Sequence, residues 1–101
     1  MNYTENYQGI KVDVQAVDFT IQDDIQQEVR NTIDKLQRHV TKINWVDVYL
    51  NIEANQPTNN KSVSMRVGIP GPDVFASDTG DHWLPLLKSV EEKLRRQLQK
   101  K

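Results

Sequence analysis

The chain has 101 residues, a formal net charge of -1, 27% charged and 37% hydrophobic side chains, and no cysteine. That length suffices for one core without a metal or disulfide staple, and the composition excludes disulfides, thiol catalysis and cysteine-ligated zinc. No apolar run approaches the ~20 residues that span a bilayer, and Met1 to Gln8 lacks the apolar centre of a signal peptide, so a soluble cytoplasmic domain without membrane contact is expected.

Residues 1–8 show no periodicity and read as a flexible lead-in, which leaves 9–101 as a single domain. Ile10, Val12 and Val14 alternate with Lys11, Asp13 and Gln15, the pattern of a half-buried strand. Thr20 can cap a helix, and Asp23, three residues on, completes an acidic variant of the capping box. Ile21, Ile25, Val29, Ile33, Leu36 and Val40 then recur at steps of three and four, which predicts a helix from about Ile21 to about Val40. Val46, Val48, Leu50 and Ile52 alternate with polar neighbours, as do Val63, Met65, Val67 and Ile69. A Pro70-Gly71-Pro72-Asp73 turn follows, then a short strand around Val74 and Ala76. A second helix is expected from a cap at Asp81, burying Trp83, Leu86, Leu87, Val90, Leu94 and Leu98, with Pro85 in its first turn.

The order is β-α-β-β-β-α. A sheet with one apolar face needs a cover, and two amphipathic helices supply it. The expected architecture is an α+β two-layer sandwich: a four-stranded mixed sheet covered on one face by two helices, with a parallel pair made through the helical crossover. Trp45, Tyr49 and Phe75 fall out of phase with the apolar positions. They are expected on the outer face of the sheet, as a secondary contact surface, although Trp45 could equally wrap a strand edge.

Charge is distributed unevenly. Residues 1–34 hold two basic and seven acidic side chains, net -5, and residues 35–46 hold three basic and no acidic ones, net +3. Residues 47–82 carry -3, and residues 83–101, with six basic and two acidic side chains, carry +4. The motif Lys-Leu-x-Arg occurs at Lys35-Leu36-Gln37-Arg38 and again at Lys93-Leu94-Arg95-Arg96. In the first helical segment Lys35, Arg38, His39 and Lys42 lie together away from the apolar stripe. In the second, Lys93, Arg96 and Lys100 form one flank and Lys88 and Arg95 another. Cations late in a helix also suit its negative end, by ~0.3–1 kcal/mol each, and any solvated helix carries charge opposite its apolar face. Between Lys35 and Trp45, however, no acidic residue is interspersed. Two cationic ridges over one sheet point to a polyanion, and RNA is the first candidate.

Catalysis finds little support. His39 and His82 are the only near-neutral acid–base groups. Asp78, Asp81 and His82 lie close in sequence, but a helix cap and an exposed histidine account for the last two. There is no glycine-rich phosphate loop, nucleophile elbow or metal-ligand spacing. Neither catalytic residues, metal, cofactor nor small-molecule substrate are expected.

Taken in order, three stretches carry a family resemblance: Val29-Arg30-Asn31-Thr32-Ile33-Asp34-Lys35-Leu36-Gln37-Arg38-His39; Val67-Gly68-Ile69-Pro70-Gly71 with Val74-Phe75-Ala76-Ser77; and Glu92-Lys93-Leu94-Arg95-Arg96-Gln97-Leu98. From about Ile10 to Lys100 the chain resembles the short bacterial ribosome hibernation promoting factors, or ribosome-associated inhibitors. The family's usual acidic-Met-Tyr-small approach to the second helix reads here Asp81-His82-Trp83-Leu84-Pro85. The aromatic role there passes to Trp83, in the core or against a base.

The resemblance implies a fold akin to double-stranded-RNA-binding domains. It also implies binding to 16S rRNA of the small ribosomal subunit, between head and body, where mRNA and tRNA would otherwise sit. By position it assigns RNA contact to Lys35, Arg38, Lys42, Lys88, Lys93, Arg96 and Lys100, with Arg95 and His39 as weaker candidates. A protein monomeric when free is expected. The dimerisation domain of the family's long members does not precede Lys101, so unaided pairing of ribosomes is not expected. The alternative is a general double-stranded-RNA-binding module without ribosome specificity.

Overall fold

Alternation of aliphatic and polar side chains sets most of the architecture, because a strand so patterned buries every second residue against the same layer. In the computed structural model, which describes residues 1–17 and 19–100, the elements in chain order are β1 (Asn2–Tyr7), β2 (Ile10–Ala16), α1 (Asp23–Leu36), a 3-10 turn (Gln37–His39), β3 (Trp45–Ile52), β4 (Lys61–Gly68), β5 (Val74–Gly80) and α2 (Trp83–Gln99). Asp18, and Lys101 at the end of the expected domain, lie outside the described residues.

One mixed sheet results, and its spatial order β1-β2-β3-β4-β5 repeats the order in the chain. β2 and β3 run parallel, joined through α1, with Val12 opposite Val46 and Val14 opposite Val48. All other pairs are antiparallel. Val12, Val14, Val46, Leu50, Val63, Met65 and Val67 from the strands are fully buried against Val29, Ile33 and Leu36 of α1 and Leu87, Val90 and Leu94 of α2.

The sheet has five strands, not the expected four. The extra one lies inside the segment expected to be a flexible lead-in: Asn2–Tyr7 pairs with Ile10–Ala16 from Asn2 opposite Gln15 to Tyr7 opposite Ile10. Its turn is the tightest hairpin form, with Gln8 and Gly9 both at positive φ (54° and 83°). The strand has no aliphatic period. Its inward positions are Tyr3, which packs against the core, and Glu5 and Tyr7, which reach α1 through polar tips. Arg30 binds the Glu5 carboxylate through Nε and Nη2, each at 3.0 Å. Tyr7 Oη donates to the Asp34 carboxylate at 2.9 Å.

Both helices differ at their ends from expectation. Thr20 does not cap α1. Gln22 holds the cap position without a side-chain bond, and Asp23 and Asp24 occupy the first turn, at the positive end of the helix dipole. α1 stops at Leu36 rather than near Val40. The chain tightens into the 3-10 turn, and Val40 is already extended (φ -140°, ψ 156°). Asp81 does not cap α2 either; His82 precedes it. Asp81 Oδ1 instead accepts the Asn59 N–H at 2.6 Å, tying the β3–β4 loop to the start of α2. Pro85 lies in the first helical turn, where its missing N–H breaks no helical bond.

Trp83 packs on the core side, stacked on Phe19 with ring centroids 5.2 Å apart and with Lys61 Nζ 5.9 Å from its ring. Across the sheet, Trp45 lies over Gly68, where an added Cβ would come within 2.2 Å of the indole. Tyr49 and Phe75 are exposed on that outer face, and the Arg66 guanidinium sits 5.0 Å from the Phe75 ring.

Candidate nucleic-acid interface

α1 and α2 pack side by side on the sheet, so residues flanking their apolar stripes meet along the seam between them. Leu36 of α1 and Leu87 of α2 are both fully buried in the core beneath. Above it opens a cleft of about 290 Å³, lined by Lys35 of α1, Arg38 and His39 of the 3-10 turn, and Lys88, Glu91, Glu92 and Arg95 of α2. The early end of α1 contributes here. Arg38 and His39 stand on the tighter 3-10 turn, which packs against α2.

Five of the nine residues expected to meet RNA are therefore brought together: Lys35, Arg38, His39, Lys88 and Arg95. Lys42 lies past the turn in a second depression, shared with His39, Ile69, Pro70 and Leu98. It sits in a loop rather than late in the helix. Lys93 turns to the opposite flank of α2, where its Nζ donates to Ser77 O at 3.0 Å and lies 3.5 Å from Asp78. Asp78 also accepts from Ser89 Oγ and from the Thr79 N–H at 2.9 Å. These bonds, the Ser89 hydroxyl foremost, hold its carboxyl below the usual carboxylate range. Arg96 and Lys100 are exposed near the end of α2. The two Lys-Leu-x-Arg copies thus play different parts: the first faces the cleft with both cations, whereas the second is divided between cleft, sheet edge and solvent.

The sequence stretch without acids near Lys35 is countered in space from the other helix. Glu91 is buried, with Lys35 Nζ 4.0 Å from its Oε1 and Arg95 Nη1 3.8 Å from its Oε2. Four fixed cations face two carboxylates in the cleft, so its field is positive but partly offset. Glu91 is the residue that charge counting passes over. Its signal is positional, since it falls at helical spacing between Leu87 and Leu94 and so sits in the apolar stripe.

Among the described residues no group of three histidine, cysteine or carboxylate side chains could hold a metal ion. Asp78 is engaged by Ser89, and Asp81 by the loop backbone. No helix among the described residues is long and apolar enough to cross a membrane. On the other side of the sheet a depression of about 270 Å³ is lined by residues including Asp13, Asp47, Tyr49, Arg66 and Phe75.

Solved structures of other proteins share this fold, among them the two that follow. The N-terminal domain of Protein Y from Thermus thermophilus superposes with a TM-score of 0.75 at 17% identity, over 90% of this chain and 96% of that one. A ribosomal subunit interface protein from Coxiella burnetii gives 0.69 at 22% identity, over 88% and 93% of the two chains. No curated protein matches the sequence. The family model described as sigma 54 modulation protein / S30EA ribosomal protein matches residues 12–101. That match runs from β2 to the C-terminus and takes in both helices of the cleft, and on it the chain belongs to the sigma 54 modulation protein / S30EA ribosomal protein family.

Proposed function

We propose that this protein is a ribosome-associated silencer of translation. It binds the small subunit through 16S rRNA and occupies the channel needed by mRNA and tRNA. The observation that carries the reading is the interhelical cleft, where Lys35, Arg38, Lys88 and Arg95 converge from three segments onto one face. Family membership supports a ribosomal setting, as does the fold shared with a protein described as a ribosomal subunit interface protein.

The mechanism is steric and electrostatic. Lysine and arginine neutralise rRNA phosphates and release counterions. A rigid domain held by a packed sheet then blocks the channel. No bond is made or broken, so no catalytic group, metal or cofactor is needed, and the setting is cytoplasmic. Lys42, Arg96 and Lys100 extend the contact beyond the cleft. The likeness to double-stranded-RNA-binding domains belongs to the same proposal.

The test is co-sedimentation with purified small subunits. Wild-type protein is expected to pellet with them at low salt and to be released as salt rises. Lys88→Glu with Arg95→Glu is expected to remain in the supernatant while keeping its circular dichroism spectrum. Unchanged sedimentation of that folded double variant overturns the proposal. Equal affinity for arbitrary RNA duplexes would replace it with a general RNA-binding module.

A further inference from the structure

Glu91 is not used by the RNA-contact reading, yet it sits at the floor of the cleft. It is 5% exposed, and its Oε2 makes no hydrogen bond. The cations beside it stand at 3.8 Å and 4.0 Å, beyond hydrogen-bonding distance. A buried carboxylate oxygen without a hydrogen bond is costly. Packing does not explain it, because leucine at the same position would continue the stripe of Leu87, Leu94 and Leu98. Lys35 and Arg95 are more open, with side chains 43% and 38% exposed, so their charged ends are shared between Glu91 below and the mouth of the cleft above.

We propose that Glu91 is a built-in counter-charge that competes with RNA phosphate for Lys35 and Arg95 and so keeps binding weak enough to reverse. An incoming phosphate must draw these two cations toward itself. In doing so it weakens the attraction that offsets the burial of Glu91, and it meets the carboxylate's own repulsion. Glu91 is a positioning residue in this scheme. It acts through Lys35 and Arg95 and touches no RNA. The inference rests on the cleft being the polyanion-binding face.

The experiment compares wild type, Glu91→Gln, Glu91→Leu and, as a control of equal charge change outside the cleft, Glu53→Gln. Each is measured by elution from heparin and by titration against small ribosomal subunits across a salt series. Glu91→Gln is expected to elute at higher salt than both wild type and Glu53→Gln. It should bind subunits about tenfold more tightly, with a log–log salt slope steeper by about 0.7–0.9 for one additional phosphate contact. Glu91→Leu, which keeps the stripe filled, is expected to behave alike and covers the case in which the glutamine variant folds poorly. Weaker or unchanged binding, or a shift no larger than that of Glu53→Gln, overturns the proposal. A heparin shift specific to position 91 in a protein that ignores subunits supports the counter-charge and removes the ribosomal reading instead.

Discussion

Gln97 closes both main-chain groups of Phe75. Its Nε2 donates to Phe75 O at 2.6 Å, and its Oε1 accepts the Phe75 N–H at 3.2 Å. Phe75 lies on β5, an edge strand whose outward backbone groups would otherwise be free to pair with another chain. One turn earlier on α2, Lys93 covers Ser77 O. A single helix flank thus covers part of the edge, from Phe75 to Ser77. Gln97→Ala is expected to lower stability by ~1–2 kcal/mol, the range for two surface hydrogen bonds, and to raise light scattering on partial heating. Denaturant titration and scattering read the two effects separately, and no change in either would show that the edge needs no seal.

The positions of the basic side chains rank their contributions to RNA binding. Lys88→Ala, in the cleft, is expected to weaken subunit binding and to reduce the log–log salt slope by about 0.7–0.9. Lys93→Ala is expected to change the slope by less than half as much, because its ammonium is already held by Ser77 O and Asp78. Salt-series titrations with both variants check the ranking, and equal slopes would contradict it.

Trp45 and Gly68 form a matched pair on the outer face of the sheet. Gly68→Ala drives a methyl group into the indole, so the ring must move at a cost of ~1–3 kcal/mol. The tryptophan emission should shift with it. Trp45→Ala is expected to make the same glycine substitution nearly neutral, which a double-mutant cycle measures directly.

Alkaline stability depends on β1. The Tyr3 hydroxyl is buried without a hydrogen-bond partner. Burial first, and the Glu5 charge second, push it from 10.0 up to about 12. Unfolded chains lose that proton at lower pH than native ones. The stabilisation is therefore intact below pH 10 and is lost as pH rises from there through about 12. Tyr7, raised by its bond to Asp34, adds to the same slope. Tyr3→Phe is expected to flatten the decline and, at neutral pH, to stabilise by ~1 kcal/mol through removal of the unpaired hydroxyl. Urea midpoints from neutral pH to about 11.5 check both effects.

Strong aliphatic periods announced β2, β3, β4, α1 and α2, because burial of branched side chains against one layer dictates them. β5 was legible from a turn and two apolar residues. β1 was not. Its inward side chains are Tyr3, Glu5 and Tyr7, of which Glu5 pairs with Arg30 and Tyr7 with Asp34, and a strand held by such polar contacts leaves no hydrophobic alternation to read. The capping roles given to Thr20 and Asp81 failed for a local reason: several polar residues precede each helix, and backbone geometry chose Gln22 and His82. At the cleft, composition could collect the cations but could not divide them. Which way Lys93 turns depends on β5 beneath it, and the counter-charge for Lys35 comes from a helix more than fifty residues away in the chain.

Because neighbours in the sheet are also neighbours in sequence, chain connectivity has a kinetic meaning. The antiparallel seams close over short turns at small entropic cost, whereas the parallel β2–β3 seam must wait for a whole crossover helix to settle. Refolding speed should be governed at that seam. Val14→Ala or Val48→Ala is expected to slow it, while Tyr7→Phe in the outer hairpin is expected mainly to hasten unfolding, a distinction that stopped-flow mixing resolves.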